Sequence, residues 1–503
     1  MATQDWVMAT AILISLYACL ILYFVIRGAL KTKNLQDYAV GSQTFPPVIV
    51  GLSLAASITS AATFIINPGF IALYGISGVI SFAIMLPLGL FISLSVLTRK
   101  FRKQGTKLSA ITLAQWIGKR YGNAGFSFFF AVLSLLLITF MVLICVGMTK
   151  VLSQALNADE AYVLTGLIVF VYGYMMFGGA NSLAYTNAIQ AILMLIVAVI
   201  LLGSGYDHFS EGVHGFMDKL TAIDPALTGI TNPDSYLFRD FFEIFICAFI
   251  VGIAIVCQPH ILTRSLLLKE DKDVTTYLTS AIIVEAIFFA VVIIGLYARI
   301  QFPDLMVDGK AIPMDGIVSA YVVAEFPVWV GLIVILGLLS AGLSTLEGLI
   351  QSLSTTISSD LMQPIKAIIT KQDMISSAMP FWVNKVVIIG LAIVTGLLSW
   401  QQLVSPSLSV GIFAQNGVYA YFSTAFMPIL MGIFLPDTKL RAPLVAAIVA
   451  VIVYFSVSYG GITWYMQAAV RNPAIPATFA IIASVLTGFI FYKLQKKSVQ
   501  HVS

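Results

Sequence analysis

A short stretch of the chain, SAGLSTLEG at residues 340–348, concentrates oxygen-bearing side chains inside a long apolar run. Ser344 and Thr345 are adjacent, so on a helix their hydroxyls diverge by about 100°. Ala341 precedes Ser344 by three residues and lies on the same face. Hard cations, of which Na⁺ is one, prefer hydroxyl and carbonyl oxygens as ligands. The stretch therefore predicts either half of a cation site or hydroxyls bonded back to carbonyls one turn earlier.

Three carboxylates also fall within apolar runs, namely Glu243, Glu285 and Glu347. A charged side chain at the centre of a membrane span costs about 3 kcal/mol or more, so it should face the bundle interior or water. We expect no Lys or Arg deep in a span to pair with these carboxylates. Each carboxylate therefore needs to be protonated or to have a hydrogen-bond partner. Each could carry protons, and a structural hydrogen bond is the expected role.

The composition places these groups in a lipid environment. The 503 residues are 59% hydrophobic and 10% charged, whereas soluble domains have about 25% charged residues. The apolar runs are about 20 residues long and do not alternate, which favours helices over a barrel. No nucleotide-binding loop, metal cluster or nucleophile arrangement is found, so neither an enzyme nor a nucleic-acid partner is expected.

The sequence predicts an all-α membrane protein with a single transmembrane domain over 1–503 and thirteen spans. The spans run over 6–27, 47–66, 71–97, 124–155, 160–177, 183–204, 240–262, 276–299, 328–358, 383–400, 406–434, 442–459 and 474–493. An odd number puts the termini on opposite sides. With the N-terminus outside, 21 of the 27 Lys and Arg residues lie on the cytoplasmic side, which the positive-inside rule requires.

Two spans have the features of broken helices. In GLSLAASITSAATFIINPGF (51–70), hydroxyl residues and alanines precede a Pro-Gly pair. Such a run either packs helices closely or unwinds to line a ligand site near the midplane. In the seventh span, Gln258, Pro259 and His260 follow a mid-span glycine. His260 could relay protons, but a polar end-cap near the interface is the expected role. The candidate solute-binding residues are the polar ones near the two breaks, namely Ser57, Ser60, Thr63 and Gln258.

Four stretches together resemble the sodium:solute symporter family. They are YGYMMFGGANSLAYTNAIQAILM (172–194), CQPHILTR (257–264), SAGLSTLEGLIQSLSTTISSDL (340–361) and AITLAQWIGKRYG (110–122). Each stretch alone is weak evidence for the family. All four in the family's order, spread along nearly the whole chain, are specific evidence. The resemblance implies a leucine-transporter-type fold of two inverted five-helix repeats. The first repeat would cover 47–204 and the second 240–434, with an extra N-terminal helix at 6–27 and two C-terminal helices in 442–493.

The family's sodium site carries over to five positions. The resemblance implies carbonyl ligands at Ala56 and Thr59 on the second span. It implies the Ala341 carbonyl and the Ser344 and Thr345 hydroxyls on the ninth. With this match, we prefer to interpret residues 340–348 as half of a cation site over hydroxyls bonded back to carbonyls of the same helix. Na⁺ is the expected coupling ion.

Three positions depart from relatives of known type. Ile58 stands where many members, including proline carriers, have Asp; Asn187 stands where Asp is frequent; and Thr63 stands where sugar carriers have Gln. The stretch SAATFIINPGF (60–70) is more similar to the monocarboxylate and pantothenate branches. The expected solute is therefore a small organic anion such as a monocarboxylate.

The sequence thus predicts a sodium-coupled symporter in the plasma membrane, importing a small solute by alternating access. One alternative is a sodium-coupled carrier of a proline-like amino acid. Another is a proton-coupled carrier that uses Glu285 or Glu347. The expected partners are the solute and the lipid bilayer, and the oligomeric state stays open.

Overall fold

A computed structural model describes residues 4–41, 45–307, 309–372, 378–405, 409–468 and 470–500. The helices before residue 205 are α1 (Gln4–Ala29), α2 (Leu35–Val40), α3 (Pro47–Ile58), α4 (Asn67–Tyr74), α5 (Ile76–Val79), α6 (Leu86–Leu108), α7 (Leu113–Tyr121), α8 (Ala124–Ser134), α9 (Ile138–Leu156), α10 (Glu160–Met175) and α11 (Ala180–Ser204). The next are α12 (Gly212–Ile223), α13 (Ala248–Ile255), α14 (Pro259–Leu262), α15 (Asp273–Ala290), α16 (Ile294–Gln301), α17 (Ile317–Glu325), α18 (Val328–Thr356), α19 (Gln363–Thr370), α20 (Phe381–Val404) and α21 (Val410–Phe434). The chain ends with α22 (Arg441–Gly460) and α23 (Ala474–Gln500), and two short strands, β1 (Met306–Val307) and β2 (Lys310–Ala311), pair antiparallel.

Ten helical segments in these ranges are long and apolar enough to cross a bilayer. Two further pairs are bent, Pro47–Ile58 with Ala62–Tyr74 by 53° and Phe242–Ile255 with Pro259–Leu267 by 59°. The described residues therefore form 10 to 12 candidate spans, and the predicted count of thirteen is not established. The difference lies at α10, which has 16 residues. At 1.5 Å per residue it is about 24 Å long, less than the hydrocarbon thickness of about 30 Å.

The other predicted spans coincide with helices, with changes at the ends. The ninth is longer than predicted, because α18 continues through a π-helical turn into α19 and forms a segment of 43 residues, Val328–Thr370. Of the predicted span 406–434, residues 406–408 lie outside the described residues and the rest forms α21. The chain is a multi-pass membrane protein.

The first bend follows from a hydroxyl that caps the second half of a helix. α3 ends at Ile58, and the next residue, Thr59, has an extended backbone with φ −82° and ψ 111°. The Ser60 hydroxyl accepts from the Ala62 N–H at 3.1 Å, and the Ser60 carbonyl accepts from the Thr63 N–H at 3.0 Å. The last carbonyls of a helix have no partner within that helix. The end of α3 therefore offers free carbonyl oxygens in the interior of the bundle.

The second bend follows from proline. Gln258 has φ −78° and ψ 143°, and Pro259 is the first residue of α14. Proline has no N–H and disfavours the helical conformation in the residue before it. The Gln258 carbonyl accepts from the Ile261 and Leu262 N–H groups at 3.2 and 3.0 Å, which starts the new helix. Both predicted breaks are confirmed by bends.

The intact helices α11, α15 and α18 pack around α3 and hold the first break in the core. α18 also packs against α9 and α14, so it lies beside both breaks. Residues 340–351 of α18 are all buried. Residues 340–348 therefore face protein, and none of them faces lipid.

The segment that connects α16 to α18 packs against α4 where Gly69 of α4 meets Met314. A Cβ added at Gly69 would lie 2.3 Å from the Met314 carbonyl oxygen. We expect Gly69→Ala to lower the stability of the protein by about 1–3 kcal/mol, because this backbone must move away. Thermal unfolding of the purified protein in detergent measures the loss. Gly166→Ala in α10 is the control, because a Cβ there meets nothing within 4 Å, and equal losses in both variants would contradict the contact.

Candidate functional site

Five oxygens predicted as ligands converge where the end of α3 meets α18. The Ser344 hydroxyl donates to the Ala56 carbonyl at 2.6 Å and is 3.2 Å from the Ala341 carbonyl. The Thr345 hydroxyl is 3.4 Å from the Ala56 carbonyl, 3.3 Å from the Thr59 carbonyl and 3.5 Å from the Ala341 carbonyl. All five residues are fully buried. We call these five the oxygen cluster.

The spacing of the oxygen cluster fits a small hard cation. Oxygen ligands at about 2.3–2.6 Å from an ion stand roughly 3.3–3.7 Å apart in an octahedral arrangement. Four of the five separations given above are 3.2–3.5 Å. The fifth, from the Ser344 hydroxyl to the Ala56 carbonyl, is 2.6 Å and would have to lengthen. The Ser57 carbonyl, which the Thr345 hydroxyl approaches at 3.2 Å, is a sixth oxygen at the same place.

A cleft lies between the two breaks. Measured as the space open to the centre of a water molecule, its volume is about 90 Å³, and Ser60, Thr63 and Gln258 line it. Its other polar lining residues are Asn67, Gln415 and Tyr419, and its aromatic walls are Phe82, Phe140 and Phe289. None of the described lining residues carries a charge. The Gln258 amide donates to the Ile255 carbonyl at 3.1 Å, while its oxygen has no hydrogen-bond partner in the described chain.

Ser57 is the one candidate solute residue that lies elsewhere. It is one residue before the end of α3, on a face that points away from the cleft. Its hydroxyl donates to the Ser53 carbonyl at 2.8 Å and accepts from the Arg264 guanidinium at 2.5 Å. Ser57 is therefore part of a polar network on the other side of the oxygen cluster.

Glu347 is the centre of that network. Its carboxylate accepts from the Tyr174 hydroxyl, from Thr186 at 3.2 Å and from Gln190 at 3.4 Å. The Asn187 amide bridges Glu347 and Arg264 in the orientation that satisfies both of its ends. It then donates to Glu347 at 2.9 Å and accepts from Arg264 at 3.2 Å. Together with Ser57, which accepts from Arg264, these residues make seven, and we call them the Glu347 network.

The Glu347 network corrects the expectation that no cation lies deep beside the carboxylates. Arg264 is only 4% exposed, although its position at the end of a span suggests the water interface. Gly348 makes room for it, since a Cβ there would lie 3.1 Å from the guanidinium. Tyr174 and Arg264 are the two members of the Glu347 network that sequence reasoning missed, although both lie within stretches that resemble the family, 172–194 and 257–264.

The other two carboxylates have separate partners. Glu243 pairs with Arg239 one turn earlier at 2.6 Å and accepts from Asn472 at 3.1 Å, which again supplies a cation that the sequence analysis did not expect. Glu285 accepts from the Thr59 hydroxyl at 2.7 Å, and its other oxygen has no partner in the described chain. Glu285 thus contacts the residue at the first break directly.

Comparisons with known proteins agree with this architecture. The chain is 25% identical to the sodium/pantothenate symporter of Escherichia coli over 96% of both chains. It is 24% identical to a sodium/proline symporter of Staphylococcus aureus, over 97% of this chain and 93% of that one. A solved Na⁺-coupled sialic acid symporter superposes with a TM-score of 0.75 at 18% identity, covering 96% of this chain and 98% of that one. That structural likeness shows a shared fold.

The family model of the sodium:solute symporters matches residues 38–450. This range contains both bends, the oxygen cluster and the Glu347 network. The chain belongs to the sodium:solute symporter family.

Proposed function

We propose that the protein is a sodium-coupled symporter that imports a small organic solute by alternating access. The observation that carries the proposal is the oxygen cluster, in which carbonyls freed at the end of α3 face two hydroxyls of the intact helix α18. Oxygen ligands without a carboxylate suit a monovalent hard cation, because a single charge is balanced by several dipoles.

The arrangement suggests how the ion and the solute could both stabilise the same bend, the one that follows α3. Na⁺ bound in the oxygen cluster would join the end of α3 to α18. Ser60 and Thr63, just past the same break, line the cleft. Both occupants therefore contact the bend at Thr59, and each would favour the geometry that the other needs. The ion gradient drives uptake, with about 2.3 kcal/mol per charge for each 100 mV of membrane potential.

The cleft supports a small solute with polar groups on an apolar body. Hydroxyls and amides can hold a carboxylate without a cationic side chain, and the aromatic walls suit the rest of the molecule. We propose a monocarboxylate or related organic anion. A proline-like amino acid is the alternative, since the named relatives include both pantothenate and proline symporters.

The organisation of the chain in the membrane is also part of the proposal. The two bent pairs would occupy matching first positions of inverted repeats at 47–204 and 240–434. The concentration of Lys and Arg favours a plasma-membrane protein with the N-terminus outside and the C-terminus in the cytoplasm.

Uptake of a panel of radiolabelled solutes into proteoliposomes tests the coupling ion. We expect uptake of at least one small organic anion to require external Na⁺ and to fall to background when Li⁺, K⁺ or choline replaces it. The panel includes proline and uncharged amides as solute controls. Uptake that ignores Na⁺ and follows an imposed pH gradient would reject sodium coupling and favour a proton-coupled carrier.

A further inference from the structure

A second cavity lies on the side of the oxygen cluster that is predicted to face the cytoplasm. Measured as the space open to the centre of a water molecule, its volume is about 20 Å³. Its walls come from α2, the segment before α7, the second half of the bent seventh span and the end of α18, and they include Thr112, His260, Thr263, Arg264, Gln351 and Thr355. The cavity is separate from the cleft between the two breaks, because the described lining residues of the two sites share no member.

Most polar groups of this cavity are already used by the protein. The Thr112 hydroxyl donates to Asp360 at 2.7 Å, and the Gln351 amide donates to the Tyr38 and Ala39 carbonyls at 2.8 and 2.9 Å. The Thr263 and Thr355 hydroxyls donate to carbonyls four residues earlier at 2.6 and 2.7 Å. A molecule in the cavity therefore finds few free donors among these residues.

The free polar groups belong to two residues. Nη1 of Arg264 and both ring nitrogens of His260 have no hydrogen-bond partner in the described chain. His260 is 3% exposed and Arg264 is 4% exposed. A guanidinium has only donors, and a neutral imidazole supplies one more N–H. A ligand that satisfies Arg264 must be a hydrogen-bond acceptor.

The charge of Arg264 makes an anion a better ligand than water. No carboxylate is found among the described lining residues. Glu347 reaches Arg264 only through Asn187 on the Nη2 side, and its own oxygens accept from Tyr174 and Thr186. A buried charge without a close counter-charge is costly, so a negative ligand beside Nη1 gains both hydrogen bonds and charge compensation.

We propose that this cavity binds a monovalent anion, either a halide or a small carboxylate, between Arg264 and His260. The site would place negative charge next to Ser57, one residue from the oxygen cluster. The inference does not depend on sodium coupling, since it follows from the donors and the charge alone. A cytoplasmic halide and the carboxylate of a released solute share this chemistry.

The line width of ³⁵Cl⁻ in NMR spectra of the purified full-length protein in detergent measures halide binding. We expect excess broadening that bromide removes by competition. Diffraction from crystals grown in bromide should show an anomalous peak in the cavity beside Arg264 Nη1. Acetate that removes the broadening as well as bromide does would show that the site accepts carboxylates, while displacement by bromide alone would limit it to halides. A cavity containing only water in the bromide crystals would overturn the proposal.

Substitutions locate the binding in solution. Arg264→Gln should weaken bromide competition by roughly a hundredfold, because the one cationic donor among the described lining residues is lost. His260→Ala should weaken it by roughly tenfold. Arg102→Gln is the matched control, because Arg102 is equally buried but pairs with Asp271 and donates to the Leu268 carbonyl. Halide binding that Arg102→Gln weakens as much as His260→Ala does would also overturn the proposal. If Arg264→Gln does not fold, the anomalous bromide peak and the bromide competition of His260→Ala still test whether the anion binds in this cavity.

Discussion

Replacing Ser344 by Ala, or Thr345 by Val, is expected to raise the apparent Na⁺ constant for uptake roughly ten- to a hundredfold. Each substitution removes one hydroxyl from the oxygen cluster and leaves the helix and the carbonyls in place. A hydrogen bond or ligand contact with a charged group contributes about 1.5–3 kcal/mol, which corresponds to this range. Initial uptake rates in proteoliposomes, measured against external Na⁺ at saturating solute, give the constant directly.

Ser340 supplies the matched control on the same helix. It is as buried as Ser344, but its hydroxyl lies 3.0 Å from the Tyr17 hydroxyl and donates to the Leu336 carbonyl at 2.8 Å. Ser340→Ala should leave the Na⁺ constant unchanged. If the sodium response of Ser344→Ala and Thr345→Val equals that of the unmodified protein, these two hydroxyls are not ligands.

Replacing Glu347 by Ala is expected to destabilise the folded protein by about 3–5 kcal/mol. The substitution removes the carboxylate at the centre of a buried hydrogen-bond network, and with it the one negative group that reaches Arg264 through Asn187 in the described chain. It also leaves the buried hydroxyl of Tyr174 without its acceptor. Thermal unfolding in detergent, with the folded fraction measured by size-exclusion chromatography, detects a loss of this size.

Two variants separate charge from hydrogen bonding at Glu347. Glu347→Gln keeps one acceptor oxygen and the shape of the side chain, so its loss of stability should be smaller than that of the alanine variant. Glu325→Ala removes a carboxylate from an exposed position on α17 and should be close to neutral. An alanine variant at 347 as stable as the unmodified protein would show that the network does not hold the fold.

Much of this architecture is predictable from local sequence. Apolar runs identify the helices because the bilayer admits no lipid-exposed backbone without internal hydrogen bonds. The breaks follow from Thr59 and Ser60 in one span and from Pro259 in the other, where hydroxyl capping and the missing N–H act within a few residues. The structure also brings together all five residues of the oxygen cluster, which the family resemblance supplied.

The parts that escaped prediction depend on contacts between distant helices. Arg264 stands at the end of a span, and only the space beside Gly348 on another helix allows it to reach the interior. Ser57 and Ser60 are three residues apart, yet the extended residue between them turns one towards Arg264 and the other towards the cleft. The count of thirteen spans stays a prediction, because it depends on α10, an apolar helix of 16 residues.

The break at Thr59 divides the oxygen cluster into two halves with different tolerance to amino-acid change. On α3 the oxygens are main-chain carbonyls, which every amino acid possesses, so side-chain size restricts position 56, while the bend and the bond from the Thr59 hydroxyl to Glu285 restrict position 59. On α18 two of the oxygens are hydroxyls, which only a few side chains can supply. We therefore expect position 56 to accept other small residues without loss of Na⁺ binding, whereas positions 344 and 345 require a hydroxyl.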